Sequence, residues 1–495
     1  MFGFIKDNKW GFLLACIVAS QATVSFILRD SYNFLDEAGY LENGRLLLEG
    51  YLPYIDYRDP HMPGIMLVVA LFFKLFGVSL FTARFLMFLV NCLTALSAYF
   101  IFKWLGGKGM AVATALFWVV LSLSGSYRAF LLLIEPFQAL IALWSFYFAV
   151  RYRESVNAKH LVASGVLFGL SLLFKQNYIF LAPLMPFYVA ALTRELNLPR
   201  GKAVKDVLLF FVAGGAPGLT LIFALYAVGG GYRFLYDTIF FHLFGPGWMQ
   251  ARGVDFVLHS PQHFIPYIAF PLFLIFERSL SVSMRILLWA FIIAGAIEAF
   301  PRFEFFHLVP MLPFFAYIIA RLIALASDKV STVIAPKNKS MPGYMKAVLV
   351  AAVATSLAII GYYGDPEFHK GFEAQREIAR YVRDNSPPGS PIFVFPAMPT
   401  ISFYSGMPLA TGNIDIEPYT ALDEDRRKVI SELEQSKPEY VVYLEGTLID
   451  NRPVEEWGAD IVKYIKEHYT VEKALDDVFP YYCKRALIMR RKKNP

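Results

Sequence analysis

The chain has 495 residues, of which 57% are hydrophobic and 17% charged, and its mean hydropathy is +0.47. Soluble globular proteins have about 45–50% apolar and about 25% charged residues, so this composition excludes an ordinary soluble protein and indicates a polytopic membrane protein. The net charge of +6 is modest and spread over loops, which argues against a nucleic-acid partner.

Hydrophobic stretches follow one another along the chain from residue 10 to residue 363. A helix needs roughly 20 apolar residues to cross the hydrocarbon core of a bilayer. On this criterion the sequence predicts about eleven transmembrane helices. Their predicted ranges are 10–28, 81–102, 110–124, 131–150, 161–174, 178–193, 207–228, 263–276, 285–300, 305–323 and 345–363.

One further apolar stretch, residues 62–77, is interrupted by Lys74 and is predicted to lie at the membrane surface or to re-enter the membrane. Lys and Arg residues concentrate in short cytoplasmic loops. If 62–77 does not cross, the basic loops all lie on the same side as Lys6 and Lys9. The sequence therefore predicts a multi-pass plasma-membrane protein with a cytoplasmic N-terminus and an extracytoplasmic C-terminal part.

The predicted transmembrane domain covers residues 1–363 and includes an outer loop, 29–80, with juxtamembrane helices. Residues 364–495 are predicted to form a small α/β domain. Its helix-like and strand-like patterns cover Phe368–Asn385, Ile392–Phe395, Asp423–Gln435, Tyr440–Tyr443 and Val454–His468, with further strands near the end. The predicted fold class is an α-helical polytopic membrane protein with a C-terminal α/β domain.

An acidic pair, Asp36-Glu37, follows the first predicted span and opens an amphipathic stretch that ends at Gly50. Ionisable groups beside hydrocarbon are costly, so their presence is a functional-site hypothesis. One interpretation is a general base that accepts a proton from an acceptor hydroxyl. The alternative is a pair of first-turn acids that only stabilise a helix start. The leucines of the stretch, including Leu41 and Leu46, are predicted to lie on the membrane surface.

Several other polar residues fall on the predicted outer face. Glu135 precedes a proline at the start of a span, where it is either a pocket acid or an ordinary helix-start acid. Four cations at span ends suit an anionic phosphate, although each alone is a weak signal and the first of them also fits an arginine that snorkels at an interface. They are Arg84, Lys175, Arg302 and His307.

No cofactor is firmly implied by the sequence, which contains no phosphate-binding loop, dinucleotide fingerprint or zinc-ligand pattern. The acids Asp36 and Glu135 leave a divalent cation open, but two carboxylates on separate loops do not define a metal site. The chemistry indicated by these residues is therefore acid–base and electrostatic.

Five runs of residues carry a resemblance to a known family. They are Gly50-Tyr-Leu-Pro-Tyr-Ile-Asp56, His61-Met-Pro-Gly64 followed by Lys74-Leu-Phe-Gly77 and Ala83-Arg84, and His307-Leu-Val-Pro-Met-Leu-Pro313. Together with the acidic pair and Leu173-Phe-Lys175, they resemble glycosyltransferase family 39. That family contains the protein O-mannosyltransferases and is similar to bacterial enzymes that transfer aminoarabinose to lipid A.

The resemblance extends over roughly residues 10–325 and implies a GT-C fold with a sugar donor carried on a polyprenyl phosphate. It implies an inverting single displacement on the outer face, with Asp36 as the base and Glu37 in support. It also implies Glu135 as the second-loop acid, with Arg84 and His61 at the donor phosphate. The chain departs from the family pattern at Glu135, where Asp is common, and at His61-Met62, where relatives can have lysine just before the proline.

The sequence thus predicts a membrane glycosyltransferase whose partners are a polyprenyl-phosphate sugar, an acceptor glycan, lipid or protein, and the bilayer. Two other classes stay open, a transporter or flippase and a non-catalytic assembly subunit for envelope polysaccharide. Transporters often contain internal repeats with broken helices at the membrane midplane. The polar residues here cluster at one face instead, which favours the enzyme.

Overall fold

The fold is given by a computed structural model. It describes residues 19, 21–22, 35–244, 265–297, 299, 304–334, 366–414, 416–418, 422–449, 452–476 and 483–493. The predicted spans 10–28 and 345–363 lie almost wholly outside the described residues, and so does Arg302. The chain divides into two compact units. We call them the helical unit, within 1–27, 84–223 and 252–362, and the mixed unit, within 28–83, 224–251 and 363–495.

The helical unit is built from apolar helices joined by short turns. Its helices are Leu80–Ser122, which begins in the mixed unit, Glu135–Ser155, Ala158–Leu172, Met185–Glu195, Arg200–Ala227, which ends in the mixed unit, Ile265–Phe276, Val282–Ile297 and Leu312–Ile334. Tighter 3₁₀ turns, Gln176–Leu184 and Phe305–Met311, precede two of these helices. The predicted spans between 81 and 323 all fall largely on these elements.

Among the described residues, three helices are long and apolar enough to cross a membrane: Leu80–Ser122, Arg200–Ala227 and Phe305–Leu325. The first has 43 residues and is interrupted by non-helical backbone at Gly107. At a rise of 1.5 Å per residue it would extend about 65 Å, about twice the hydrocarbon thickness. Its length and break therefore fit two spans, as the sequence predicts.

Helices Ala158–Leu172 and Arg200–Ala227 approach each other through glycines. A Cβ atom on Gly165 would lie 2.6 Å from the Phe210 carbonyl oxygen. One on Gly169 would lie 2.1 Å from the Gly214 carbonyl oxygen. Small residues spaced by four let membrane helices pack backbone to backbone, where dispersion contacts and not the hydrophobic effect hold them together.

The mixed unit combines helices of the outer loop with an α/β sandwich. Its longer helices are Leu35–Leu48, Gly64–Phe76, Pro366–Asn385, Asp423–Ser436 and Ala459–His468, and its shorter helical pieces are Gly231–Leu235, Tyr236–Phe240, Phe241–Phe244, Pro399–Ser405 and Val454–Trp457. The four-stranded sheet has the order β1 (Ile392–Phe395), β2 (Tyr440–Glu445), β6 (Arg485–Arg491) and β5 (Tyr469–Asp476). Only β1 and β2 pair in parallel. A small ribbon joins β3 (Leu448–Ile449) to β4 (Arg452–Pro453).

Strands β1, β2 and β6 send alternate side chains into two separate apolar cores, one on each face of the sheet, whereas the edge strand β5 is mostly exposed. In β2, Val441 and Tyr443 enter one apolar core, while Val442 and Leu444 enter the other. The predicted helices and strands of this region are confirmed, with small shifts at their ends. The exception is 454–468, which is two helices separated at Gly458.

The predicted amphipathic stretch after Asp36 is confirmed as a helix, Leu35–Leu48. The expectation that its leucines lie on a membrane surface is wrong for two of them. Leu41 and Leu46 are buried inside the mixed unit, where the helix packs against Gly64–Phe76 and Pro399–Ser405. The sequence could not anticipate this contact, because the second partner follows more than 350 residues later in the chain.

The glycine contact between Ala158–Leu172 and Arg200–Ala227 gives a direct test. Replacing Gly169 by Ala should lower the Tm of the purified protein, because the new methyl group meets backbone and not a flexible side chain. Gly215→Ala is the matched control, since a Cβ there meets nothing within 4 Å and Ala is the better helix former. Equal Tm values for the two variants, measured by loss of the monodisperse peak after heating, would contradict the close packing.

Candidate functional site

The acidic pair lies in the first turn of helix Leu35–Leu48. Asp36 is half-buried, and Glu37 is completely buried. Carboxylates in a first turn are stabilised by the partial positive charge of the helix N-terminus. The same residues therefore satisfy the helix-start interpretation, while the greater exposure of Asp36 makes it the member of the pair that a substrate could reach.

Further along this helix lies a buried ion pair that the sequence analysis did not single out. Arg45 Nε and Nη2 donate to the two oxygens of Glu42 at 2.9 and 2.7 Å. Arg45 Nη1 donates to Glu49, and Nη2 also reaches the Met407 carbonyl oxygen at 3.2 Å. Burial raises the pKa of Glu42, and Arg45 opposes that shift. The pairing fixes the helix to the C-terminal part of the mixed unit.

His61 is held beside the same helix by Asp59. The Asp59 carboxylate accepts from the His61 backbone N–H at 2.7 Å and lies 2.9 Å from His61 Nδ1. Its other oxygen accepts from Asn43 Nδ2 at 2.6 Å. The His61 and Tyr40 rings form a T-shaped contact, with ring centroids 5.3 Å apart. Asp59 is buried while the His61 side chain is 40% exposed, so the imidazole is oriented and reachable.

Arg58 joins three separate parts of the mixed unit. Its Nε donates to Asp237 at 3.0 Å, and its Nη1 donates to Asp425 at 2.9 Å. Its guanidinium also lies over the Phe241 ring, 5.1 Å from the centroid. Burial raises the pKa of Asp237, and Arg58 and Arg233 counter this rise. One planar cation thus links the outer loop to residues 237–241 and to helix Asp423–Ser436.

The helical unit contains a compact cluster of Glu135, Lys175 and His307. Lys175 Nζ donates to Glu135 Oε1 at 2.7 Å, and His307 Nδ1 lies 2.7 Å from the same oxygen. The two nitrogens are 2.8 Å apart, so Nδ1 either donates to Glu135 or accepts from Lys175. The Glu135 side chain is 4% exposed, against 15% for Lys175 and 17% for His307. The acid is innermost, and the two nitrogen bases form the accessible edge.

Backbone contacts hold this cluster and its neighbourhood in place. Gln138, one turn after Glu135, donates to the carbonyl oxygens of Ser171 and Lys175 at 3.3 and 3.1 Å. Asn91 donates to the Ala129 carbonyl oxygen at 2.8 Å, and Arg84 Nη1 reaches that of Phe130 at 3.5 Å. Arg84 is fully buried, which contradicts the snorkelling alternative. The sequence analysis did not single out Gln138 and Asn91. An amide side chain within an apolar span is the signal that could have identified them.

The predicted site residues divide between the units. Asp36, Glu37 and His61 belong to the mixed unit. The other described candidates, which are Arg84, Glu135, Lys175 and His307, belong to the helical unit. Of these four, Glu135, Lys175 and His307 contact one another. Among the residues that the structure describes, no group of three or more His, Cys, Asp or Glu side chains could hold a metal ion.

Comparison with protein families finds one match. Residues 60–217 match the family described as dolichyl-phosphate-mannose-protein mannosyltransferase. The matched segment contains His61, Arg84, Glu135 and Lys175. A comparison with curated protein sequences finds no match.

Solved structures match over nearly the whole chain. ArnT from Cupriavidus metallidurans bound to undecaprenyl phosphate is 15% identical, and the match covers 97% of this chain and 98% of that one with a TM-score of 0.60. Its apo form gives 15% identity, 96% and 97% coverage and a TM-score of 0.63. The Archaeoglobus fulgidus oligosaccharyltransferase tethered to an acceptor peptide gives 12% identity, 99% and 75% coverage and a TM-score of 0.56. Both proteins are GT-C glycosyltransferases.

The Glu135–Lys175 contact predicts a strong energetic coupling. Lys175→Met leaves the buried Glu135 with one fewer donor, and Glu135→Gln removes the acid that pairs with both bases, so each single variant should lower the Tm. The double variant should be less destabilised than the sum, by about 0.5–3 kcal/mol. Additive losses, with the exposed Lys159→Met as the neutral control, would show that the pair is not formed.

Proposed function

Because this chain has the GT-C fold of membrane glycosyltransferases, we propose that it transfers a sugar from a polyprenyl-phosphate donor to an acceptor hydroxyl. The observation that carries the proposal is the fold match along 97% of the chain to a protein solved with undecaprenyl phosphate. The match of residues 60–217 to a family that is named for a lipid-phosphate-linked mannose supports the same donor class. The acceptor is a glycan, lipid or protein hydroxyl on the extracytoplasmic face.

The proposed reaction is one inverting displacement. The acceptor oxygen attacks the anomeric carbon while its proton passes to the Asp36 carboxylate. The bond between the anomeric carbon and the phosphate oxygen breaks, and polyprenyl phosphate leaves with the electron pair. Since the leaving group is already a phosphate, the enzyme needs a base and positive charge to stabilise the departing anion.

Asp36 suits the base better than Glu37 for a physical reason. A general base must come within hydrogen-bond reach of the proton that it accepts. Asp36 is half-buried, whereas Glu37 is completely buried. We assign Glu37 a supporting role in the shape and charge of the site.

The cations of the helical unit are proposed to bind the donor phosphate. Lys175 and His307 form the more exposed edge of their cluster, and Glu135 is the innermost member. A buried acid that accepts from Lys175 and contacts His307 orients both neighbours and offsets the lysine charge, which fits a positioning role. Arg84 and His61 are proposed to contribute further charge and hydrogen bonds, and Arg302 stays a prediction from the sequence.

The localisation follows from the charge pattern and is part of this proposal. Basic loops place the N-terminus in the cytoplasm and the outer loop, 29–80, outside. Residues 364–495 would then form an extracytoplasmic domain, and about eleven spans would make up the membrane domain 1–363. The bilayer is then both the solvent of the domain and the source of the lipid-linked donor.

The first test concerns Asp36. Asp36→Asn removes the proton acceptor but keeps shape, so the rate of polyprenyl-phosphate release should fall by about 100-fold or more, within the contribution of general bases. Release is measured with purified protein and a panel of polyprenyl-phosphate sugars. Glu49→Gln is the matched control, since it removes a nearby, more exposed carboxylate. Normal transfer by a folded Asp36→Asn protein would remove Asp36 from the mechanism.

The second test concerns the donor phosphate. His307→Asn keeps a polar side chain but removes a nitrogen base from the accessible edge of the cluster, so the KM for the donor should rise about 10-fold or more. The measurement is the initial rate against donor concentration in mixed micelles, with Lys159→Gln as a control at an exposed position. An unchanged KM in a protein of normal Tm would place the phosphate elsewhere.

A further inference from the structure

Residues 231–244 form a helical segment of the mixed unit with four aromatic rings spaced by four residues. The rings belong to Tyr232, Tyr236, Phe240 and Phe244, which are 73%, 43%, 47% and 77% exposed. Tyr232 stacks on Tyr236 with centroids 6.5 Å apart, and Phe240 stacks on Phe244 at 6.4 Å. We call these four residues the aromatic ladder. Exposed apolar surface in such a continuous row marks an interaction site.

A π turn at Tyr236–Phe240 lies between the two stacked pairs, Tyr232–Tyr236 and Phe240–Phe244, and brings the directions of their rings closer together. On a regular α-helix, each step of four residues overshoots a full turn by about 40°. Three such steps would carry the last ring about 120° away from the first. A π turn, closed by bonds from residue i to i+5, lengthens one turn and takes back part of this overshoot.

The opposite face of the segment fixes its orientation. Phe234, Asp237, Thr238 and Phe241 are all buried. Asp237 pairs with Arg58, and His242 Nε2 lies 2.9 Å from the Pro60 carbonyl oxygen. Turning the ladder inward would break these contacts and expose the buried aromatic residues, so the rings stay outward.

The segment also follows directly after a helix that is long and apolar enough to cross a membrane. Helix Arg200–Ala227 is long and apolar enough to span a bilayer, and its outer side chains include the exposed Leu219 and Phe223. Only three residues separate its end from Gly231. A Cβ at Gly231 would lie 2.3 Å from the Tyr226 ring, so the turn is tight and the segment starts at the end of the span.

We propose that the aromatic ladder lies in the interfacial layer of the bilayer and that lipid is its partner. Tyrosine and phenylalanine rings fit this layer, where the hydroxyl of tyrosine meets the headgroups while the ring body is apolar. A helix with one apolar face and one polar face that does not cross the bilayer is the usual form of an interfacial anchor. Through Asp237 and Arg58, the ladder holds the loop that carries Asp59 and His61 at a fixed depth.

Depth-resolved fluorescence quenching tests this proposal without relying on activity. Tyr236→Cys and Phe240→Cys are each labelled with bimane in a background where Cys16, Cys92 and Cys483 are replaced by Ala. The proteins are placed in vesicles whose lipids carry a nitroxide either near the headgroup or near the end of the acyl chain. Leu219→Cys is the control within the span, and the exposed Lys463→Cys is the aqueous control.

The headgroup-proximal nitroxide should quench the two ladder labels several-fold more than it quenches the Lys463→Cys label. The chain-end nitroxide should act most strongly at Leu219→Cys, and iodide in the buffer most strongly at Lys463→Cys. Ladder labels that respond to iodide like Lys463→Cys would face water and overturn the proposal. Labels shielded from both lipid nitroxides and iodide would lie under protein, which also overturns it. So would ladder labels that match Leu219→Cys, because they would lie too deep.

Discussion

The Arg58 guanidinium is the contact on which the arrangement of the mixed unit depends. Arg58 lies in the outer loop, and it pairs with Asp237 and with Asp425, which are far from it and from each other in sequence. Asp237 is buried, so loss of Arg58 would leave its charge inside protein with only the longer contact to Arg233 at 3.5 Å, and breaking a buried pair in this way costs several kcal/mol. A planar donor with several N–H groups can satisfy both acids at once, which an ammonium group does less well. The loop with Asp59 and His61 therefore has a defined position although it contains little regular structure.

In the helical unit, too, a buried acid is paired with a cation, here in a part of the protein that is rich in apolar helices. Charged groups beside hydrocarbon persist only when they are paired or when function requires them. Glu135 accepts from Lys175 and lies 2.7 Å from His307 Nδ1, and both nitrogen groups lie on the more exposed edge. The cluster can thus exist before any donor arrives, because Glu135 already compensates the charge of Lys175. A phosphate that binds at that edge would meet donors that are already oriented, which is the condition for strong electrostatic stabilisation.

The sequence predicted most of the elements because their signals are local. The runs Ile392–Phe395 and Asp423–Gln435 have strand and helix periodicity that tertiary contacts do not override. The GT-C resemblance is confirmed at the level of fold by comparisons with solved structures. What the sequence could not give is pairing at long range. Nothing local connects Lys175 with His307, or Arg58 with Asp425, and the burial of Leu41 depends on a helix near residue 400.

The aromatic ladder shows why hydropathy alone overlooks an interfacial segment. Arg233, Asp237 and His242 interrupt residues 231–244, so the stretch is too polar and too short to be predicted as a span. Spacing alone does not align its two stacked ring pairs either, since regular α-helical steps of four would turn one pair away from the other and the π turn takes back part of that rotation. The polar residues that hide the segment from a hydropathy scan are those whose contacts hold its apolar face outward. Amphipathicity of this kind is a property of the folded unit, and it becomes visible only when the buried partner of each polar group is known.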